Sequence, residues 1–313
     1  MVKKYGDLYL EARRTLLPSE GENASMAARE LLAFASGKSV TAVLADSNLY
    51  ASEQIEDKLN GYVNRMLAHE PLPYILGQWD FYGISLEVTP DVLIPRDDTM
   101  AVTDLALDVL RGRTEPRVLD LCAGTGCLGL GVKRLCPAAV VTCVEKSPEA
   151  YAYLEKNTRL ALKGQGGSTE NVLDASPFEA PAFDWGFRTA RAAEPVEGDL
   201  FTYWQTLPDG QLDLIVSNPP YVPQSDRAAM HPNVRDHEPG LALFVPDDDA
   251  IRFYRAIARA GRQMLTPGGR LWFEIYERAA AEIVRMLGAE GYTDTEVRED
   301  LFGKPRMVCT RLK

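Results

Sequence analysis

The segment Asn218-Pro219-Pro220-Tyr221 combines residue types that, in this order, can do chemistry. The nitrogen of a carboxamide or an aromatic amine is planar and a poor nucleophile, because its lone pair is delocalised. A site that uses such a nitrogen must hold both N–H bonds and aim it at an electrophile. The Asn218 side-chain oxygen can accept one N–H and the Pro219 carbonyl the other. Pro219 and Pro220 stiffen the backbone, so that carbonyl is aimed in advance. As the nitrogen loses planarity and gains positive charge, both acceptors bind it more strongly, which favours the transition state over the ground state. Tyr221 can stack on the planar group and favour a passing cation. No strong general base is required, and in-line positioning supplies most of the rate. Two prolines also make an ordinary stiff turn. Here, however, they follow an apolar strand at 213–217, and in an open α/β sheet ligands bind beyond the carboxyl ends of the strands.

A second constellation lies upstream. Asp120-Leu121-Cys122-Ala123-Gly124-Thr125-Gly126 follows a strand and opens a helix. Glycines there permit a tight turn and close approach of a ligand, and the free N–H groups of the helix start suit a carboxylate or phosphate. Glu145 ends the next strand, where a carboxylate can accept both hydroxyls of a ribose. Together they predict a nucleoside-cofactor site. Gly124, Gly126 and Gly129 match the glycines of a dinucleotide fingerprint but come late. Asp120 at the strand end, ahead of the loop, is suited to the ammonium of a methionine moiety, directly or through water. S-adenosylmethionine (SAM) carries no pyrophosphate to be cradled, so SAM is expected over NAD. The nitrogen held at residues 218–221 would then be methylated.

These residues need a scaffold, and hydrophobic periodicity predicts one. Helices are expected at 5–17, at 27–34 with Asn23 or Ser25 as cap, at 39–44, and at 53–67 with Ser52 as cap. In the last of these Leu59, Val63, Met66 and Leu67 share one face. Pro71 and Pro73 are expected to end this small bundle. Residues 78–88 read as a hairpin with Gly83 near its turn. A helix at 99–110 follows. From Arg117 strands at 118–121, 140–144, 212–216 and 270–275 alternate with helices at 129–135, 148–161, 250–264 and 279–287. Strands at 292–298 and 306–311 close the pattern. Strands spaced by helices predict a mostly parallel sheet covered on both faces. The expected organisation is a helical domain at 1–72, serving either as a packing unit or in partner recognition, a hairpin linker at 73–97 and a catalytic domain at 98–313. A Gly-, Ser- and Pro-rich insertion at about 163–195 would either partly cover the site or run over the surface.

Composition narrows the function classes. The 313 residues are 46% hydrophobic, which suits buried cores, and no apolar run reaches the length of a membrane span. The first eleven residues carry charges and tyrosines where a signal peptide would be apolar, so a cytoplasmic protein is expected. A net charge of −11 opposes binding along a phosphate backbone and favours a protein or small-molecule substrate over DNA. Cys122, Cys127, Cys136, Cys143 and Cys309 form no Cys-x-x-Cys pair, and His69, His231 and His237 show no metal-ligand spacing. Buried free thiols and no metal are expected. Nothing demands more than a monomer.

Taken together the chain resembles the HemK/PrmC family, the protein-(glutamine-N5) methyltransferases of peptide chain release factors. The resemblance covers nearly the whole chain. It rests on the helical N-terminal part, Pro73-Tyr74-Ile75-Leu76-Gly77, and Leu93-Ile94-Pro95-Arg96-Asp97-Asp98-Thr99. It continues through Gly124-Thr125-Gly126, Ser217-Asn218-Pro219-Pro220-Tyr221, Glu238-Pro239 with Ala242-Leu243, and Pro267-Gly268-Gly269. Asn-Pro-Pro-Tyr alone is shared with adenine-N6 DNA methyltransferases and some RNA enzymes; the other segments are more specific. The resemblance implies a Rossmann-like class I SAM methyltransferase with a mostly parallel seven-stranded sheet and an N-terminal helical bundle that helps dock the substrate. That substrate is the glutamine of the Gly-Gly-Gln motif of bacterial class I release factors. It implies that Asn218 and Pro219 grip the glutamine amide. Cys122, Ala123, Gly124, Thr125, Gly126, Glu145 and the pair Asp199-Leu200 would contact SAM, the pair near the adenine. Asn218 counts with both the catalytic and the cofactor-binding residues, and Arg96 would line the pocket wall. Cys122 replaces the usual glycine, Met100 stands where glutamate is frequent, Tyr276 where glycine is common, and the insertion is longer than typical. An adenine-N6 or other protein methyltransferase, a non-catalytic SAM-binding module and an NAD oxidoreductase are the competing readings. An intact Asn-Pro-Pro-Tyr opposes the module, and the lack of an evident hydride-transfer acid or base opposes the oxidoreductase.

Overall fold

The computed structural model describes residues 2–161, 193–300 and 302–313. Most of the expected insertion, 163–192, lies outside the described residues. The chain forms two compact units, Met1–Gly77 with His231–His237, and Gln78–Met230 with Glu238–Lys313. The stretch expected as a linker is therefore divided, its first five residues in one unit and the hairpin in the other.

The first unit is helical: α1 Tyr5–Glu20, α2 Ala24–Ser36, α3 Val40–Ala45, α4 Glu53–Leu67 and α5 Leu72–Leu76. Tyr5, Leu8, Ala12 and Leu16 bury one stripe of α1, and Ala27, Ala28, Leu31, Leu32 and Ala35 bury a small-residue face of α2. Ser39 caps α3 through the Ala42 N–H, and Ser52 caps α4 through that of Ile55. Asn23 makes no side-chain cap, because a 3₁₀ turn at Gly21–Asn23 already brings the chain into α2 in helical conformation. Leu67 is 41% exposed and leaves the buried face of α4 to Leu59, Val63 and Met66. Pro71 and Pro73 do more than end the bundle: they open α5, where a proline's missing N–H costs nothing.

In the second unit, β1 Gln78–Phe81 and β2 Ile84–Glu87 form the hairpin, with Tyr82 and Gly83 both at positive φ in its two-residue turn. Then follow α6 Asp97–Leu110, β3 Arg117–Leu121, α7 Cys127–Leu135, β4 Val140–Glu145, α8 Pro148–Leu160, β5 Glu194–Glu197 and β6 Leu212–Ser217. Next are β7 Val222–Pro223, the short α9 Pro232–Arg235 of the first unit, α10 Gly240–Leu243 and β8 Phe244–Val245. The chain closes with α11 Arg252–Met264, β9 Leu265–Glu274, α12 Ala280–Ala289, β10 Tyr292–Glu299 and β11 Pro305–Leu312.

Seven strands form one sheet in the order β10-β11-β9-β6-β3-β4-β5. β9, β6, β3, β4 and β5 are parallel, and β11 runs antiparallel between β9 and β10. Successive side chains alternate between two cores, as a strand's period of two requires. Val118, Leu214, Val216 and Trp272 join Val102, Ala106, Leu128 and Leu154 on one face. Leu119, Leu121, Ile215, Leu271 and Phe273 join Tyr254, Ile257, Ile283 and Leu287 on the other. Strands buried on both faces read as nearly continuous apolar runs, which is why β3, β4, β6 and the latter half of β9 are legible in the sequence. β5 is not expected from the sequence; its Pro195 fits because β5 pairs only with β4 among the described strands. Among the described residues no helix is long and apolar enough to cross a membrane.

Candidate active site

The register of the sheet places the candidate residues in one row. Phe273, Ser217, Leu121, Val144 and Val196 lie side by side near the strand ends. One residue further on come Glu274, Asn218, Cys122, Glu145 and Glu197. The chain leaves β3 toward β4 and β5 on one side, and later builds β6 and β9 on the other, so the strand order reverses beside β3. A cavity of about 330 Å³ opens there, at the carboxyl ends, where a ligand site is expected.

Asp120, Cys122, Ala123, Gly124, Thr125, Glu145, Asp199, Leu200, Asn218 and Pro220 line this cavity. Gly126, Pro219, Tyr221 and Arg96 do not. Gly126 instead begins α7 at φ +81°, and a Cβ there would meet Leu154 at 2.6 Å. Cys122 holds φ +61°, a left-handed conformation where glycine is the easier occupant. The loop is held from both sides. Glu145 accepts the Gly124 N–H with one oxygen and the Lys146 and Ser147 N–H groups with the other, each at 2.8 Å. Each carboxylate oxygen has two lone pairs, so a further hydroxyl can still be accepted. Buried Asn157 donates to the Thr125 carbonyl at 3.0 Å and exchanges two hydrogen bonds with the Glu87 backbone. Asp120 accepts the Gly129 N–H at 2.9 Å, and burial pushes its carboxyl up to about 7. Asp199 accepts the Phe201 N–H and pairs with Lys146 at 2.9 Å. Arg252 lies over the rings of Phe201 and Phe253, at 5.3 and 5.6 Å.

The Asn-Pro-Pro-Tyr segment is fixed by its neighbours. Ser217 donates to the Leu121 carbonyl, the Tyr221 N–H donates to Leu243, and β7 pairs with β8. Pro219 and Pro220 are buried, and Asn218 is half-buried at the cavity wall. Its Nδ2 donates to the Thr99 hydroxyl oxygen at 3.3 Å. The Thr99 hydroxyl donates to Glu274 at 2.6 Å, and the Tyr221 hydroxyl donates to the other Glu274 oxygen at 2.9 Å.

The structure gives two of the expected site residues other partners than the substrate. Tyr221 was expected to stack on the substrate. Its ring lies instead in parallel with Tyr276, 6.2 Å between centroids, and its hydroxyl is taken by Glu274. A phenol beside a buried carboxylate finds that partner because an unpaired polar atom there is costly. The Tyr276 substitution thus supplies the stacking partner. Arg96 was expected on the pocket wall. Its guanidinium pairs with buried Glu238, which also accepts the Ile94 N–H. Leu93, Ile94 and Pro95 line the cavity in its place. Sequence reasoning also missed Thr99, Glu274 and Asn157 as site residues. Glu274 carried a usable signal, an acid at the end of an apolar strand, which is what singled out Glu145. All five cysteines are free, but only Cys143 and Cys309 are fully buried.

The charged residues around the cavity are Asp91, Asp120, Glu145 and Asp199 against Lys146 and Arg252. This acidic excess suits a sulfonium and an ammonium better than a pyrophosphate. Fold and site together define a Rossmann-like class I SAM-dependent methyltransferase. Residues 7–77 match the PrmC N-terminal domain, and residues 97–179 match the methyltransferase small domain. The chain belongs to the family of release factor glutamine methyltransferases. Its relative of that name in Bacteroides thetaiotaomicron is 36% identical over 84% of this chain and 83% of its own. Those of Geobacter sulfurreducens and Deinococcus radiodurans are each 33% identical; they cover 97% of this chain, and 95% and 97% of their own.

Proposed function

We propose that this enzyme methylates the side-chain nitrogen of the glutamine in the Gly-Gly-Gln motif of bacterial class I release factors. The observation that carries the proposal is the orientation of Asn218. Its Nδ2 is occupied by Thr99, which leaves Oδ1 as an acceptor at the cavity wall. An acceptor is what an amide N–H needs. Among the described residues no backbone N–H donates to the Pro219 carbonyl, so it can take the second N–H. Pro219 and Pro220 would act as the stiff backbone behind that grip, and Tyr221 as an anchor.

SAM, when bound, would supply an electrophilic methyl group for the amide nitrogen, with S-adenosylhomocysteine as the leaving group. The amide nitrogen loses one proton to solvent and emerges as the N-methyl amide. Asn218 and Pro219 stabilise the positive charge that develops on nitrogen, and the rigid loop keeps it in line with the methyl group. Glu145 would hold a ribose hydroxyl, Asp120 the ammonium, and Asp199-Leu200 with Phe201 the adenine. Cys122, Ala123, Gly124 and Thr125 would give the backbone wall, with Gly126 setting the start of α7. The first unit would dock the release factor. The net charge of −11 opposes DNA as substrate, and a cytoplasmic monomer acting in translation termination completes the reading.

The test uses labelled SAM with a release factor and with the same factor carrying Gln→Ala in its Gly-Gly-Gln motif. Label is expected only in the first, and equal labelling of both would sink the glutamine assignment. Asn218→Ala is expected to lower kcat by roughly a hundredfold or more while SAM affinity changes little. Unchanged turnover would remove Asn218 from the chemistry.

A further inference from the structure

We infer that Glu274, acting through Thr99, is the positioning residue that decides which end of the Asn218 amide faces the substrate. The inference deepens the proposed function and rests on its reading of Asn218 as the acceptor for the substrate N–H.

Thr99 and Glu274 are both buried at 1% exposure, where hydrogen-bond polarity cannot be averaged by water. A threonine hydroxyl has a single hydrogen. With Glu274 ionised, that hydrogen is committed to the carboxylate at 2.6 Å. The Thr99 oxygen can then only accept toward Asn218, so Nδ2 must turn to it and Oδ1 is presented to the substrate. A flipped amide would set Oδ1 against the Thr99 oxygen with no hydrogen between them. The Tyr221 hydroxyl on the second carboxylate oxygen reinforces this polarity, because it too is a donor.

Protonation of Glu274 reverses the chain. The new carboxyl O–H donates to Thr99, the Thr99 hydrogen turns to Asn218, and the amide flips. Nδ2 then faces the substrate nitrogen, donor against donor, and the grip is lost. The groups around Glu274 set where this happens. Burial raises its carboxyl above the ordinary range, and Asp98 adds to the rise. Thr99, Tyr221 and Arg306 oppose it. Tyr254 donates to the Glu274 backbone carbonyl at 3.2 Å and leaves the carboxylate to the other partners. Wild-type kcat is therefore full where Glu274 is ionised and declines as pH falls through its raised pKa.

The experiment uses the full chain with a release factor substrate, and compares Thr99→Val, Thr99→Ser, Glu274→Gln and Asn218→Ala. SAM affinity is measured by calorimetry alongside kcat across pH. Thr99→Val cuts the relay and is expected to lower kcat roughly ten- to a hundredfold with SAM Kd within about twofold. Thr99→Ser keeps the hydroxyl and restores most of the turnover. The acid limb of the kcat profile is expected in wild type and absent from the residual activity of Thr99→Val and Glu274→Gln. Should Glu274→Gln fail to fold, the valine and serine pair decides. Wild-type kcat in Thr99→Val while Asn218→Ala is inactive overturns this inference alone. So does an acid limb that persists in Thr99→Val, or a loss of SAM affinity as large as the loss of kcat. Wild-type turnover in Asn218→Ala would instead overturn the reading of Asn218 beneath it.

Discussion

Cys122 sits at φ +61° between the end of β3 and the cavity, with Asn218 one strand away in the same register row. A left-handed conformation costs a residue with a side chain about 1–2 kcal/mol, and a β-branched one more. Cysteine's single γ atom is tolerated there. Cys122→Gly is expected to fold with a stability within about 1 kcal/mol of wild type, because relieved strain and lost chain entropy offset each other. Cys122→Val is expected to lose about 2 kcal/mol or more and to bind SAM more weakly. Urea midpoints and SAM titrations of the two variants check this. A valine variant as stable as wild type would show that the loop carries no strain.

At Gly129, α7 packs closely against β4. A Cβ on Gly129 would lie 2.4 Å from the Cys143 sulfur and 3.1 Å from an Asp120 oxygen. Alanine is the better helix former by about 1 kcal/mol, but overpacking costs about 1–3 kcal/mol and wins here. Gly129→Ala is expected to lower stability by about 1–2 kcal/mol and to weaken SAM binding, since Asp120 bonds the Gly129 N–H. Cys143→Ala removes the sulfur and is expected to recover much of the loss in the double variant. Additive losses in a double-mutant cycle would show that the two side chains do not meet. The glycine of the helix start was legible as a loop signal. Its role as a spacer for the sulfur of a strand fourteen residues later was not.

At the scale of the whole molecule, the described residues of the second unit include three buried carboxyls pushed upward by desolvation, Asp120, Glu238 and Glu274. For Asp120 the folded value of about 7 lies above the ordinary 3.8 of the unfolded chain. Its contribution to stability is full below pH 4, declines as pH rises toward 7, and is lost above that. Asp120→Asn keeps an acceptor for the Gly129 N–H but cannot ionise. The unliganded variant is expected to match wild type near pH 4 and to exceed it at pH 7 and above, by no more than about 4 kcal/mol. Urea unfolding across that range measures the gap; a constant difference would show that Asp120 does not titrate in the folded protein.

The sequence alone determined the alternation of strands and helices, the helical first unit, the loop after β3, the acid ending β4 and the segment after β6. Each of these is a local pattern, an apolar period or a residue type at a strand end, and local physics suffices to specify it. β5 escaped because a four-residue strand with two acids and a proline has no pattern of its own; pairing with β4 makes it a strand. Tertiary structure decided the tasks of the polar groups. Asn218 meets Thr99 across 119 residues, Tyr221 meets Glu274 across 53, and Arg96 meets Glu238 across 142. A hydrogen bond has a direction and needs a partner within about 3 Å. No spacing along the chain encodes that, so the sequence could nominate Asn218, but only the folded protein could show which way its amide faces.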